Sequence, residues 1–140
     1  IPFNSYTMAG ETNIGTLLKN MTPKLNEGDY VFCTVTSPDK LEFSDIIGTF
    51  KEEEGVTVIV NKTTADKFGL SYSYIAAWIT LTIHSSLEAV GLTAAFSQAL
   101  AEASISCNVV AAYYHDHIFI DKKDAEKAMD VLTQLAEHSG

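Results

Sequence analysis

Two groups of residues in this sequence combine side chains that catalytic or metal sites use. In the first group, His84 stands beside Ser85 and Ser86, the residue types of a general base and a nucleophile. Neighbouring residues on an extended chain point in opposite directions, however, and no glycine-bounded elbow surrounds either serine. Catalysis is therefore the weaker interpretation of this group, and no catalytic residue is predicted.

The second group is His115, Asp116 and His117, in which two histidines separated by one residue share a face of a strand. Zinc sites use such pairs, but they need further ligands, and none stands at a suitable spacing. The triplet is predicted to form the turn of a hairpin instead. Asp116 and Asp121 make no acid-base pair, because turn and helix-cap roles account for both. Neither a metal site nor a cofactor is predicted.

The composition limits the class of partner. The 140 residues include 18 acidic side chains and nine basic ones, all of them lysine, which gives a net charge of -9. This charge repels nucleic acids and anionic membranes, so neither is predicted as a partner. Because arginine is absent, a carboxylate or phosphate has to be held by lysine, hydroxyl groups or backbone N–H groups.

The two cysteines and the amino-terminal segment indicate the compartment. Cys33 and Cys107 lie inside apolar runs, which favours two buried thiols of a reducing compartment, with a single bridge between them as the alternative. No apolar run has the length of a membrane span, and no signal-peptide profile is present. A cytoplasmic protein is therefore expected. Residues 1–13 have no periodicity and are expected to be disordered or a non-native addition, with Met8 as a candidate natural start.

Apolar periodicity from residue 14 onward predicts alternating helices and strands. The first half is predicted to contain a helix at 14–21, a strand at 30–36, a hairpin at 46–60 that turns at Gly55, and a short helix ended by Gly69. The second half is predicted to contain a strand at 75–83, a helix at 92–104, strands at 105–114 and 117–120 around a turn at 115–116, and a helix at 122–138 capped by Asp121.

The order of these elements predicts an α+β fold. Residues 75–138 follow the order of a ferredoxin-like βαββαβ unit without its last strand, which an earlier segment such as 30–36 or another chain must supply. Two such units are expected in tandem, residues 14–74 (incomplete) and 75–140, with shared or exchanged strands. Since both alternating sets of side chains in 105–114 are mostly apolar, both faces of that strand are expected to be covered.

The stretch "VGLTAAFSQALAEASISCNVVAAYYHDHIFIDKKDAEKAMDVLTQL" resembles the core of an ACT domain, the small-molecule-sensing module of amino-acid-regulated enzymes such as aspartokinase. The likeness lies in a glycine before the first helix, a helix of small residues, the "ISCNVV" strand, a tight hairpin and "DKKDAEKAMDVL". The longer span of about 14–137 resembles small stand-alone proteins built from two ACT-like units.

The resemblance implies that an effector binds where the first strand turns into the first helix and on the adjacent second strand, at an interface between two modules. The corresponding positions here are Ser85, Ser86, Leu87, Val90, Gly91, Leu92, Ser106, Cys107 and Asn108. N–H groups at the start of a helix suit a carboxylate, and Gly91 lets a ligand approach the backbone. The alternative interpretation of the same turn is a capping box between Ser85 and Glu88.

These features predict a regulatory, non-enzymatic protein that binds a small molecule, in first place an amino acid. Binding would change its assembly or its contact with a partner, so a homodimer or a protein partner is expected. The alternative is an adaptor whose ACT-like surface mediates dimerisation or protein contact without a ligand. An enzyme is the third interpretation: it needs a convergent cluster of titratable side chains, which the sequence does not provide, and a metal held by His115 and His117 would revive it.

Overall fold

The structure is a computed structural model that describes residues 15–16, 18–82 and 91–138. The predictions for residues 1–13 and for the turn at 85–90 fall outside these residues. The described strands are β1 (Thr22–Val35), β2 (Ile46–Lys51), β3 (Val56–Asn61), β4 (Ala76–Thr82), β5 (Cys107–Ala111) and β6 (Asp116–Asp121). The helices with defined limits are α1 (Lys62–Lys67), α2 (Leu92–Glu102) and α3 (Ala125–Glu137), with short 3-10 turns at Pro38–Lys40, Phe43–Asp45 and Lys122–Asp124. Residues 15–16 and 18–19 are also helical, within the helix predicted at 14–21. No helix among the described residues is long and apolar enough to cross a membrane.

The chain forms two compact units. The middle unit is Asn26–Trp78, and the terminal unit contains the described residues up to Leu25 and from Ile79 onward. The strand order is β2-β3-β1-β4-β6-β5, so β1 and β4 contribute to both units. Each unit has the ferredoxin-like order, β2-β3-β1-β4 in one and β1-β4-β6-β5 in the other, which confirms the predicted α+β tandem. The domain limits given above, 14–74 and 75–140, stay a prediction.

The segment from β4 to α3 contains only three of the four strands of a ferredoxin-like unit. The beginning of β1 supplies the fourth strand of the terminal unit. Sequence patterns predicted a strand only at 30–36, and that segment was expected to complete the second sheet. Instead β1 starts at Thr22, and its residues up to Leu25 belong to the terminal unit. The early part of β1 escapes recognition because Pro23 and Gly28 are residues that interrupt strand patterns.

Gly28 is required in β1 just after the boundary between the residues of the two units, which falls between Leu25 and Asn26. Its φ of 114° lies in the region that side chains avoid, and an added Cβ would stand 3.2 Å from both Asn61 Nδ2 and Tyr30 Oη. The Tyr30 hydroxyl donates to the Glu27 carbonyl, which closes the chain around this glycine. β1 is a single strand of 14 residues that includes this glycine, and it lies between β3 and β4 in one six-stranded sheet.

The two units carry the same hairpin, sixty residues apart. The Glu52 N–H donates to the Gly55 carbonyl at 3.0 Å, and the Ala112 N–H donates to the His115 carbonyl at the same distance. Gly55 lies in the first turn as predicted, but the second turn covers 112–115, so its prediction at 115–116 was wrong. The run "AAYYH" has no glycine or proline, and its apolar residues extend the strand pattern beyond the true end of β5.

One face of β5 is exposed in this chain, contrary to the expectation that both faces are covered. Asn108 is exposed, and Val110 on the same face is 41% exposed. The opposite face of this hairpin is buried. There, Cys107 and Val109 of β5 stand opposite Ile120 and Ile118 of β6, and both isoleucines are fully buried. Among the described residues, none covers this face of β5 at Asn108 and Val110.

Each unit has its own core. In the middle unit, the buried cluster combines strands β1 and β3 with one helical residue: Val31, Cys33, Val58, Val60 and Ala65. In the terminal unit, the buried side chains come from β4, β6 and both helices: Ile79, Leu81, Ile118, Ile120, Leu92, Phe96, Leu100, Ala128 and Leu132. The predicted cap of the last helix is confirmed, because Asp121 Oδ1 accepts from the Lys123 N–H at 3.1 Å.

Helices α1 and α2 end in the same hydrogen-bond pattern. After α1, the Leu70 N–H donates to the Ala65 carbonyl, and the residue in the left-handed conformation is Gly69, at φ 66°. After α2, the Ile105 N–H donates to the Leu100 carbonyl, and the corresponding residue is Ser104, at φ 62°. Both are Schellman motifs, but only α1 has the residue that tolerates the motif without strain.

Replacing Ser104 by glycine is expected to raise the free energy of unfolding by about 1 kcal/mol, because glycine adopts the left-handed conformation without the cost of a Cβ. Gly69→Ala should lower it by a similar amount. Urea unfolding followed by circular dichroism measures both effects. As a control, Ser97→Gly inside α2 should destabilise by roughly 0.5 kcal/mol. A destabilising Ser104→Gly would contradict the strain assigned to this residue.

Candidate functional site

The expected effector site has two parts, and the first is the turn that leads into α2. Of this part, the structure describes Gly91 and Leu92. Ser85, Ser86, Leu87 and Val90 lie outside the described residues. Gly91 is the N-cap of α2, and its carbonyl accepts from the Ala95 N–H at 2.9 Å. It offers no side-chain acceptor, and the first turn of α2 contains no acidic residue. No carboxylate of the helix's own first turn therefore offsets the positive end of its dipole.

Leu92 follows Gly91 in the expected ligand-binding set, but its side chain is 1% exposed. It packs in the terminal core with Phe96 and Leu100, which are also on the buried face of α2. A ligand at this turn can reach only the backbone of Leu92. The apolar period of the helix already indicated this, because Leu92 opens the buried stripe.

The second part of the expected site is the beginning of β5. Ser106 is exposed just before the strand, Cys107 is partly exposed, and Asn108 is exposed on the strand's open face. In the β5–β6 register, Asn108 stands opposite Phe119. β5 is the last strand in the sheet order, so its outer backbone groups have no neighbouring strand within the described chain.

The structure does not bring these two parts together within one unit. β4 and β5 are both antiparallel to β6 and therefore run in the same direction. Helix α2 connects the end of β4 to the start of β5, and its 11 residues rise about 16 Å. Gly91 and Ser106 consequently lie at opposite ends of α2. A single free amino acid is too short to contact both ends.

By the same argument, the turn between β5 and β6 lies at the end of the unit where α2 begins. This turn carries Tyr113 and Tyr114, which are 93% and 80% exposed and have ring centroids 4.8 Å apart. His115 follows, and its Nδ1 atom is buried without a hydrogen-bond partner among the described residues. Sequence patterns predicted that these tyrosines lie in the core or cover the second face of the sheet, because they continue the apolar strand; their exposure shows that this prediction was wrong.

His117 is the second histidine of the former triplet and lies within β6. Its Nδ1 atom is 3.1 Å from the Thr80 hydroxyl. Burial lowers the pKa of His117, and the nearby His115 lowers it further, while Asp116 acts in the opposite direction. In the part of the chain that the structure describes, no three His, Cys, Asp or Glu side chains are grouped so that they could hold a metal ion.

Both cysteines are free thiols, so the alternative of a bridge between them is not realised. Cys33 is 4% exposed in the middle core, and burial raises the pKa of its thiol. Cys107 is partly exposed at the start of β5. The two thiols therefore differ in access although the sequence places both in apolar runs.

Comparisons with known proteins identify the family. ACT-domain family models match residues 9–77 and 73–134. The chain belongs to the ACT-domain family. The resemblance predicted from the sequence is confirmed, and the tandem arrangement of two ACT domains accounts for both ferredoxin-like units. No protein of curated function matches the chain.

Solved structures similar to this tandem ACT protein include a protein of unknown function from Vibrio cholerae, named a possible transport protein. It is 48% identical, the match covers 91% of this chain and 98% of that one, and the TM-score is 0.82. The regulatory subunit of aspartate kinase from Thermus thermophilus, in its ligand-free form, is 13% identical over 83% of this chain and 98% of its own, with a TM-score of 0.58. A putative C-terminal regulatory domain of aspartate kinase from Porphyromonas gingivalis is 15% identical over 83% and 96%, with a TM-score of 0.57. The two aspartate kinase structures share the fold with this chain.

Iodoacetamide is expected to modify Cys107 faster than Cys33 in the folded protein, because the Cys33 thiol is buried and its raised pKa lowers the thiolate fraction. Intact-mass spectrometry over time should show one early adduct, which peptide mapping assigns to Cys107. Cys107→Ser should remove the early adduct, and denaturant should make Cys33 reactive. Equal rates for the two thiols in the folded protein would contradict this assignment of access.

Proposed function

We propose that this ACT protein is a regulatory, non-catalytic protein that binds a free amino acid. The observation that carries the proposal is the pair of ACT units with ferredoxin-like strand order, the fold that the chain shares with aspartate kinase regulatory domains. The proposed contacts are Ser85, Ser86, Leu87, Val90, Gly91, Leu92, Ser106, Cys107 and Asn108. Because this chain contains no arginine, backbone N–H groups at the start of α2 are the proposed carboxylate site.

The separation of the two groups of contacts along α2 favours a site shared between modules. In this arrangement, the turn before α2 of one module holds the carboxylate, and the start of β5 of another holds the ammonium group. The Asn108 amide and the Ser106 hydroxyl, at the start of β5, supply neutral acceptors for that group. The ligand then binds the assembled arrangement better than the separate modules, which is the differential affinity that regulation requires.

A homodimer through the β5 edge is the proposed assembly. β5 contains no charged residue in a chain of net charge -9, and the turn that follows it adds the exposed Tyr113 and Tyr114. Val110 is exposed in the middle of the strand. An uncharged, apolar edge strand is the type of edge that pairs with a second chain. We further propose that the protein acts in the cytoplasm, where its two thiols stay reduced.

The second candidate function is an adaptor that assembles without a ligand. The exposed tyrosines and Val110 support it, because a surface that serves only protein contact needs nothing more. In that case the start of α2 is an ordinary helix end. Amino-acid binding and edge pairing are separable by experiment.

Titrating the protein with each of the twenty amino acids in a thermal-shift assay is expected to show saturable stabilisation by one or a few of them. Gly91→Asp should abolish the shift caused by an amino acid that binds at the start of α2, because a carboxylate at the helix start repels that of the ligand. The variant itself should remain folded, since aspartate is a favourable N-cap and Gly91 has an ordinary φ of -94°. Gly91→Asn is the matched control of the same shape without the charge, and it should retain more of the shift. Absence of any shift at millimolar concentrations would favour the adaptor.

Val110→Lys is expected to convert the dimer into a monomer, because a charge in the centre of an edge strand opposes pairing. Phe50→Lys is the matched control, since Phe50 occupies the corresponding position in the other hairpin and is 71% exposed. Sedimentation velocity measures the mass of each protein. A monomeric wild type, or dissociation caused only by Phe50→Lys, would contradict assembly through β5.

A further inference from the structure

A groove of about 520 Å³ lies on the surface of the terminal unit, away from the residues that the sequence singled out. Its lining comes from two segments, Lys19–Pro23 just before and within the start of β1, and Thr133–Glu137 in the last turns of α3. The groove is a depression that is open to solvent, and it is not an enclosed cavity. The two segments are far apart in sequence, so no local motif reveals the groove.

The groove follows from the way the terminal unit obtains its last strand. In a βαββαβ unit the chain leaves the second helix and enters the fourth strand directly. Here the strand beside β4 is the start of β1, so no covalent connection joins it to α3. In the middle unit the corresponding connection follows α1, and its residues Leu70, Tyr72 and Ile75 pack against the core. In the middle unit this position is therefore filled by the connecting segment. In the terminal unit, the same position is bordered by two separate segments.

The lining of the groove combines two opposite charges. Lys19 contributes an exposed ammonium group and Glu137 an exposed carboxylate. Among the described residues, neither forms an ion pair. Glu137 is also the last residue of α3, so the negative end of the helix dipole lies beside its carboxylate. The segment from α3 is therefore suited to a cation, and the segment before β1 to an anion.

The remaining lining provides an apolar floor and hydroxyl groups. Met21 and Ala136 are 3% and 8% exposed, and Pro23 is half-buried. Thr22 and Thr133 are exposed and bring one hydroxyl group from each segment. Charges of both signs around an apolar floor match a small molecule that has both charges and an uncharged side chain.

We propose that this groove binds a zwitterionic small molecule, namely a free amino acid with an apolar side chain. Its carboxylate contacts the Lys19 ammonium, its ammonium group contacts the Glu137 carboxylate, and its side chain covers Met21 and Ala136. The groove is a different place from the start of α2. The proposal therefore goes beyond the function proposed above and does not depend on it.

Titration of ¹⁵N-labelled protein with leucine tests the proposal by two-dimensional NMR. Chemical-shift changes are expected to cluster at Met21, Thr22 and Ala136. Leucinamide lacks the carboxylate and 4-methylpentanoate lacks the ammonium group, so each should bind roughly tenfold more weakly, as expected for loss of one charged hydrogen bond. Equal binding of all three compounds would overturn the proposed charge pairing.

Substitutions locate the site. Lys19→Gln and Glu137→Gln should each weaken leucine binding by roughly tenfold, and Ala136→Ser, a small change in the floor, should weaken it less. The matched controls Lys24→Gln and Glu126→Gln change the same charges at exposed positions outside the groove and should bind leucine like the wild type. Unchanged spectra away from the groove verify that each variant is folded.

The outcomes separate this proposal from the previous one. Gly91→Asp should leave the shifts at Met21 and Ala136 intact, because the start of α2 does not line the groove. Leucine-induced changes confined to Gly91–Ala94 would overturn the groove and leave the site at α2 standing. Binding that survives both Lys19→Gln and Glu137→Gln would likewise overturn it.

Discussion

The whole fold depends on one long strand, β1, which lies within a six-stranded sheet and contributes residues to both units. A ferredoxin-like unit needs four strands to bury the inner faces of its helices, and the terminal unit has only three of its own from β4 onward. The residues Thr22–Leu25 complete it, while the rest of β1 belongs to the middle unit and pairs with β3 from Tyr30 to Val35. Gly28 is the residue that accommodates the irregular backbone between these stretches.

This use of β1 has a consequence for ligand binding. A strand that comes from elsewhere in the chain leaves a break between the last helix and the sheet edge, and side chains of opposite charge, Lys19 and Glu137, border that break. The start of α2 is a second location where charge is unbalanced, since its first turn has no acidic residue. These are the two locations at which we propose amino-acid binding, in a chain that has no guanidinium group to bind a carboxylate.

The repeated hairpins show where the two units have diverged. The turns at Glu52–Gly55 and Ala112–His115 have the same hydrogen bond, and β3 and β6 have the same burial pattern. The fold therefore accepts very different side chains at these tips: three consecutive glutamates in the middle unit, and two exposed tyrosines in the terminal unit. Because the backbone does not demand the tyrosines, they are better explained by contact with another molecule, which is the role that the proposed β5 interface gives them.

The sequence by itself determined the features that depend on local periodicity and local capping. The strand at 76–82, the buried stripe of α2, Gly69 after α1 and the Asp121 cap all follow from neighbouring residues, and so does the family resemblance. Only the tertiary structure decided which distant segments meet. It showed that Thr22–Leu25 completes the terminal sheet, that the second hairpin turns at 112–115, that Gly91 and Ser106 lie at opposite ends of α2, and that Lys19 and Glu137 line one groove. The physical reason is that strand pairing and groove formation depend on contacts between residues far apart in the chain, for which a single sequence contains no periodic signal.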